Sequence, residues 1–333
     1  MDCYIYRVFM KIILHVGVHK SATTAVQHSL LETYGSSKPA KNCSVWFPNF
    51  KKNGPGHAIL WYEWVGIEKY DVDRPRLQEV ITQAVNSNCE NLVISAEDIS
   101  LSSNDILLRL GKVLRDHKVD VYVTMSPVQH RLYSTWQENV KHGWGVTLAD
   151  SGPWYFGDFQ NDTFKKDDSG FNTLTPSCRE SGWPTFRGDF LKRLAKHLEP
   201  DQLHLIPIPI KDPQIDVFQR ISQAMGIALP RPANELEVRR KTQSLGYHEA
   251  EYICRLNAAL TSLGRVHETR KYSGPCTDFF RELDPPRVKV KMPDVLEKYF
   301  TRYWRLLCDE VKELQRTTGL AIHGELSELN DLN

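Results

Sequence analysis

Runs of consecutive apolar residues alternate along this chain with stripes of apolar residues at helical spacing. The first run, 12–16, is Ile-Ile-Leu-His-Val, which has the length and continuity of a strand buried on both faces. Runs at 91–95, 119–125 and 201–209 repeat that signature. Between them the spacing changes to three and four. Ala25, Val26, Leu30 and Leu31 share one stripe, as do Leu77, Val80, Ile81, Ala84 and Val85. Ile106, Leu107, Leu110, Val113 and Leu114 form a third, and Phe186, Phe190, Leu191, Leu194 and Leu198 a fourth. Further helices are predicted over 217–225, closed by Gly226, over 247–263, and over 295–317. This alternation predicts a single α/β domain, with a parallel sheet of about four to five strands flanked by helices on both faces. Pro207 and Pro209 place the end of the fourth strand at a sheet edge, because proline has no N–H for a ladder.

Breaks in the pattern set the boundaries. Residues 1–9 are too short and mixed for a signal peptide and read as an N-terminal extension. The domain spans 10–320, and 321–333 read as a C-terminal tail. Within the domain, 140–188 is irregular, with many glycines and with Trp144, Trp154, Tyr155, Phe156 and Phe159 interleaved. A loop that long is usually functional. It reads either as a ligand-binding excursion, whose aromatic faces stack on sugar rings, or as a small aromatic core beneath a long loop.

Composition narrows the class. Of 333 residues, 41% are hydrophobic and 25% charged, the balance of a globular chain in water. A net charge of +1 gives no global field for nucleic acid or an anionic membrane, so any anion site is local. No apolar run reaches the roughly 20 residues of a membrane span. The seven cysteines are scattered and lack a C-x-x-C pair, which speaks against a disulfide framework or zinc and for reduced thiols in a cytoplasm.

The chemistry gathers where the first strand gives way to the first helix, in Gly17-Val18-His19-Lys20-Ser21-Ala22-Thr23-Thr24. The first N–H groups of a helix lack internal partners and carry the positive end of its dipole, so an anion binds there. Lys20 adds a mobile cation, and Ser21, Thr23 and Thr24 add hydroxyls. A Walker A loop would need a glycine directly before the lysine. Other strand ends offer more. Glu97 follows 91–95 and faces the ligand crevice, or serves as a helix N-terminal acid. The strand 119–125 runs into Ser126, Pro127, His130, Arg131 and Ser134. His57 follows a Gly/Pro cluster at 53–56 and reads as a surface-loop histidine capping a helix.

The order H-x-G-x-H-K-S-x-T-T-x-x-Q, from His15 to Gln27, resembles the 5′-phosphosulfate loop of sulfotransferases that use 3′-phosphoadenosine 5′-phosphosulfate (PAPS). The form looks like that of the bacterial carbohydrate-type branch, and the resemblance runs from Met10 to about Leu320. It implies a P-loop-like sulfotransferase fold, PAPS as donor, no metal, and a carbohydrate or other small hydroxyl or amine acceptor. Gly17, His19, Lys20, Ser21, Ala22, Thr23 and Thr24 would hold the 5′ side of the donor. Ser126, Arg131 and Ser134 would hold its 3′-phosphate. Lys20 would stabilise the leaving phosphate, and Glu97 or His57 would take the acceptor's proton. Two positions depart from the family. Ala22 stands where many members have glycine, an exchange that a negative φ tolerates. Ser126 stands in place of arginine, so Arg131, His130 or a residue from elsewhere must supply the charge, or affinity for the donor falls. The run at 239–241 and the stretch 270–275, similar to a basic glycine loop over the 3′-phosphate, are further candidates. The same loop also admits a P-loop phosphotransferase on a small substrate, or a nucleotide-binding relative without catalysis.

Overall fold

Seven parallel strands, counted among the described residues, pair in the order β2-β3-β4-β1-β5-β6-β7. They are β1 Lys11–Gly17, β2 Gly35–Ser36, β3 Val45–Pro48, β4 Asn91–Ser95, β5 Lys118–Met125, β6 Gln202–Pro207 and β7 Ala321–Ile322. The computed structural model describes residues 10–18, 21–50, 57, 76–156, 184–186, 188–209, 216–233, 245–283 and 292–330. The four strands expected from apolar runs are β1, β4, β5 and β6. The expected count of four to five is too low, because β2, β3 and β7 are too short to show a periodicity. The stretch after Leu320, expected as a tail, supplies β7 on the outside of β6, and Leu329 beyond it is buried. β7 covers only His204 and Leu205 of β6, so Pro207 still lies past that pairing.

The helices are α1 Thr23–Tyr34, α2 Leu77–Asn86, α3 Asn104–Leu114, α4 Val128–Lys141, the short α5 Gly152–Phe156, α6 Phe190–Leu198, α7 Val217–Met225, α8 Tyr247–Ser262, α9 Thr269–Leu283 and α10 Glu297–Thr318. α9 corrects the expected glycine loop at 270–275: that stretch is helical, with Pro275 inside it. None of the described helices is long and apolar enough to cross a membrane.

Strand alternation sorts the core into two faces. Ile13, Val93, Tyr122 and Ile206 pack with Val26 and Leu30 of α1 and Ile221 and Met225 of α7. Ile12, Leu14, Leu92, Val121 and Leu205 pack with α2, α3, α4, α6, α8 and α10 on the other face. α10 is fastened to α6 by Glu310, whose Oε1 accepts the Lys192 N–H at 2.7 Å where Asp189 gives no side-chain cap. Burial pushes the Glu310 carboxyl up to about 7. The described part of the 140–188 excursion joins this second core. Tyr155 and Trp144 are buried edge to face, and Phe156 stacks on Tyr299 of α10. Those aromatics are core, not an open sugar platform; residues 157–183, with Phe159, lie outside the described residues.

β1 and β5 are neighbours, yet α1, which follows β1, lies on one face and α4, which follows β5, lies on the other. Adjacent strands whose crossovers leave in opposite directions open a crevice at their carboxyl ends, where ligands of open α/β sheets bind.

Candidate functional site

The turn out of β1 is anchored to β5 at two points. The Val18 N–H donates to Thr124 O at 3.0 Å, and the Ser126 N–H donates to Ser21 Oγ at 2.9 Å. The Ser21 and Ser126 hydroxyls lie 3.1 Å apart. These bonds hold the start of α1 beside the start of α4, so two helix N-termini face one crevice. Gly17 is required by space: a Cβ there would come within 2.5 Å of the Thr23 side chain. Thr23 is buried, and its Oγ1 has no hydrogen-bond partner among the described residues. Ala22 is exposed, with φ +60° and ψ +14°. The condition under which alanine replaces glycine without strain, a negative φ, is therefore not met. A left-handed Ala22 followed by a right-handed Thr23 turns successive N–H groups toward one side, the form of an anion-binding nest.

Beneath the turn lies a buried polar row that sequence reasoning did not assign to the site. His15 Nδ1 is 2.8 Å from Ser95 Oγ on β4, and its Nε2 is 3.0 Å from Thr124 Oγ1 on β5. Gln27 of α1 donates to the same Ser95 Oγ at 3.1 Å. Three strand ends and one helix are thus tied by neutral hydrogen bonds. Burial pushes His15 down to about 4, so the ring carries no charge at neutral pH. The H-x-G and T-T-x-x-Q spacings contained this signal, since they name His15 and Gln27. What they lacked was the register that puts Ser95 opposite His15.

The other expected residues separate. His57 is buried, not on a surface loop. The Ser95 N–H donates to its Nδ1 at 2.9 Å, so the ring proton sits on Nε2 and is given to Pro48 O at 2.8 Å. The imidazole thereby joins β3 to β4 beyond their last paired residues. Burial pushes it down to about 4, against the smaller upward pull of Pro48 O. A ring with its lone pair and its proton both engaged is poorly set to accept a proton from a substrate.

Arg131 is turned inward as well. Its Nε donates to Ser126 O at 3.0 Å, Nη1 to Thr185 O at 3.0 Å, and Nη2 to the Tyr303 hydroxyl at 2.7 Å. The rings of Phe186 and Tyr303 flank the guanidinium at 4.8 and 5.2 Å. The expected partner of a 3′-phosphate is thus engaged with the interior. Ser134, one turn further along α4, is buried with its Oγ 3.5 Å from His130 Nε2. Glu97 opens the 3-10 turn 97–101 directly after β4, and that turn packs against β1. Thr24 is half-buried in the first turn of α1. His19 and Lys20 lie outside the described residues, as does the run at 239–241.

The structure thus gathers Gly17, Ser21, Thr23 and Ser126, places Glu97 at the next strand end, and removes His57 and Arg131 to the interior. Among the described residues no group of three or more His, Cys, Asp or Glu is arranged to hold a metal ion. Comparison with protein-family models finds no match to this chain, and comparisons with curated proteins and with solved structures find none.

Proposed function

We propose that the chain transfers a sulfuryl group from PAPS to a hydroxyl or amine, with a carbohydrate as the acceptor class. The observation that carries this reading is the turn at the β1/β5 switch point. It combines the N-terminus of α1, a nest at Ala22–Thr23 and a buried hydroxyl, Thr23 Oγ1, that lacks a partner among the described residues. Those donors fit the 5′-phosphate of the donor. In the transfer, the bond from sulfur to the bridging phosphate oxygen breaks and a bond from sulfur to the acceptor forms. Negative charge grows on the leaving phosphate, where Lys20 and the turn's N–H groups stabilise it. The acceptor's proton goes to Glu97, since both nitrogens of His57 are engaged.

The 3′ side fits less closely, because Arg131 is bound internally and the Ser126 hydroxyl lies against Ser21. Among the described residues, the first-turn N–H groups of α4 offer donors there. That observation favours a second reading, a nucleotide-binding relative that does not transfer. The two readings are separated with labelled PAPS and a panel of glycan and amine acceptors. Turnover is expected, and Lys20→Ala should lower it by about two to three decades without unfolding the chain. Binding without turnover across the panel would support the second reading. Unchanged transfer in Lys20→Ala would sink the mechanism, and magnesium-dependent ATP use would replace the reading by phosphotransfer.

A further inference from the structure

Cys43 and Cys89 stand just before β3 and β4, at the amino ends of the strands and so at the end of the sheet opposite the proposed site. β3 and β4 pair with Val45 opposite Asn91 and Trp46 opposite Leu92. Cys43 and Cys89 each lie two residues ahead of that first pair. The regular ladder ends there, since the Cys89 N–H turns back to Ala84 O at 3.0 Å, but the two approaches stay bonded: the Glu90 N–H donates to Cys43 O at 2.9 Å, and the Asn91 N–H to Ser44 O at 3.1 Å. Backbones bonded to each other in this way lie about 4.8 Å apart, within the roughly 4.4–6.8 Å between Cα atoms that a disulfide spans. The two thiols are close enough for Cys43 to act on the thiol of Cys89. Cys89 gives its own proton to Asn91 O at 3.2 Å, so in the sulfur pair Cys43 is the donor. Both thiols are free; Cys89 is buried and Cys43 half-buried.

We infer that Cys43 and Cys89 are a thiol–disulfide site, oxidised by a small disulfide such as oxidised glutathione. The order of events follows from exposure. The half-buried Cys43, as thiolate, attacks one sulfur of the oxidant. One glutathione leaves as its thiol, and a mixed disulfide remains on Cys43. Cys89 then attacks the Cys43 sulfur, the second glutathione leaves, and an internal disulfide closes. Two protein thiols lose two electrons and two protons, and two glutathione thiols carry them away. Burial pushes the Cys89 thiol up to about 12, so the second step quickens as pH rises. The closed bond staples the amino ends of β3 and β4, while His57 joins their carboxyl ends through Pro48 and Ser95. The whole segment between the two strands is then held at both ends.

The test treats the purified full chain with oxidised glutathione, blocks the remaining thiols and maps peptides without reduction. The expected product is lighter than the reduced chain by two hydrogens, contains one peptide pair joined through Cys43 and Cys89, and reverts with dithiothreitol. Its thermal midpoint rises, because the bond closes a long loop in the unfolded chain. Cys43→Ser and Cys89→Ser should each abolish the joined peptide and the rise. If the buried Cys89→Ser chain does not fold, Cys43→Ser alone decides, since its side chain is half-buried. A lasting glutathione adduct on Cys43 with Cys89 still reactive, a crosslink to another cysteine, or no reaction at either thiol would overturn the inference.

Discussion

Two buried polar centres flank the β1/β5 crevice, and they are built on opposite principles. On the α1 face, Gln27, Ser95, His15 and Thr124 form a row in which no group is charged. On the α4 face, Arg131 keeps a permanent charge, and two carbonyls, a tyrosine hydroxyl and two aromatic faces surround it. A histidine escapes the cost of burial by losing its proton, whereas an arginine cannot. The first centre therefore depends on pH and the second on its acceptors. Between them, Thr23 Oγ1 is left unmatched among the described residues. The contrast separates polar groups that build the crevice from polar groups left over for a ligand.

The largest expected effect breaks the charged centre. Arg131→Ala removes three donors at once and leaves Ser126 O, Thr185 O and the Tyr303 hydroxyl short of a partner, along with a cavity. The expected loss is roughly 3–5 kcal/mol, read from urea unfolding. Arg131→Lys should recover only part, since an ammonium lacks the planar fork. If Arg131→Ala were as stable as the parent but bound adenosine 3′,5′-bisphosphate more weakly, Arg131 would serve a ligand and the contrast would collapse.

The neutral centre is broken by acid. His15 sits at about 4 in the folded chain, below its ordinary 6.5. The unfolded chain therefore takes up the proton first, and stability that is full above pH 6.5 drains as pH falls toward 4. At 1.36 kcal/mol per pKa unit, His15 accounts for up to about 3 kcal/mol. His57 adds a change of the same sign. Glu310 acts the other way: held at about 7 by burial, it gains stability as pH falls below 7. Taking the difference between the parent and His15→Gln cancels both. That difference should narrow steadily between pH 6.5 and 4 in denaturant titrations. A constant gap would mean that the ring is exposed or already charged.

How much of this was legible beforehand depended on the length of each signal. β1, β4, β5 and β6 carry apolar runs that only a buried strand explains. β2 is Gly35–Ser36 and β7 is Ala321–Ile322, pairs whose strand character comes entirely from a neighbour's ladder. α9 was hidden by Gly274-Pro275, which reads as a breaker. Packing overrides it there: Ser273 Oγ donates to Lys141 O at 2.6 Å, and Ser273 and Thr277 are buried. At the site, residue types were visible while directions were not. Arg131 has the composition of a phosphate ligand, but only the fold reveals that it points at Thr185 and Tyr303. The Cys43–Cys89 contact was equally hidden, because it arises from the approach of β3 to β4 and not from spacing along the chain.

The smallest expected effect sharpens the contrast at the unmatched turn itself. Ala22 is held at φ +60° immediately before α1. A left-handed conformation costs a residue with a Cβ roughly 1–2 kcal/mol, while glycine adopts it freely and loses about 0.5–1 kcal/mol in the unfolded chain instead. Ala22→Gly should therefore stabilise the chain by up to about 1 kcal/mol, seen as a higher urea midpoint with unchanged slope. The side chain is exposed, so no packing is lost to offset the gain. Because the N–H groups of the turn keep their direction, affinity for adenosine 3′,5′-bisphosphate should change little. A destabilised Ala22→Gly chain would mean that residue 22 is right-handed in solution. The nest would then be absent, and the anion site would rest on the α1 N-terminus, Thr23 and Lys20 alone.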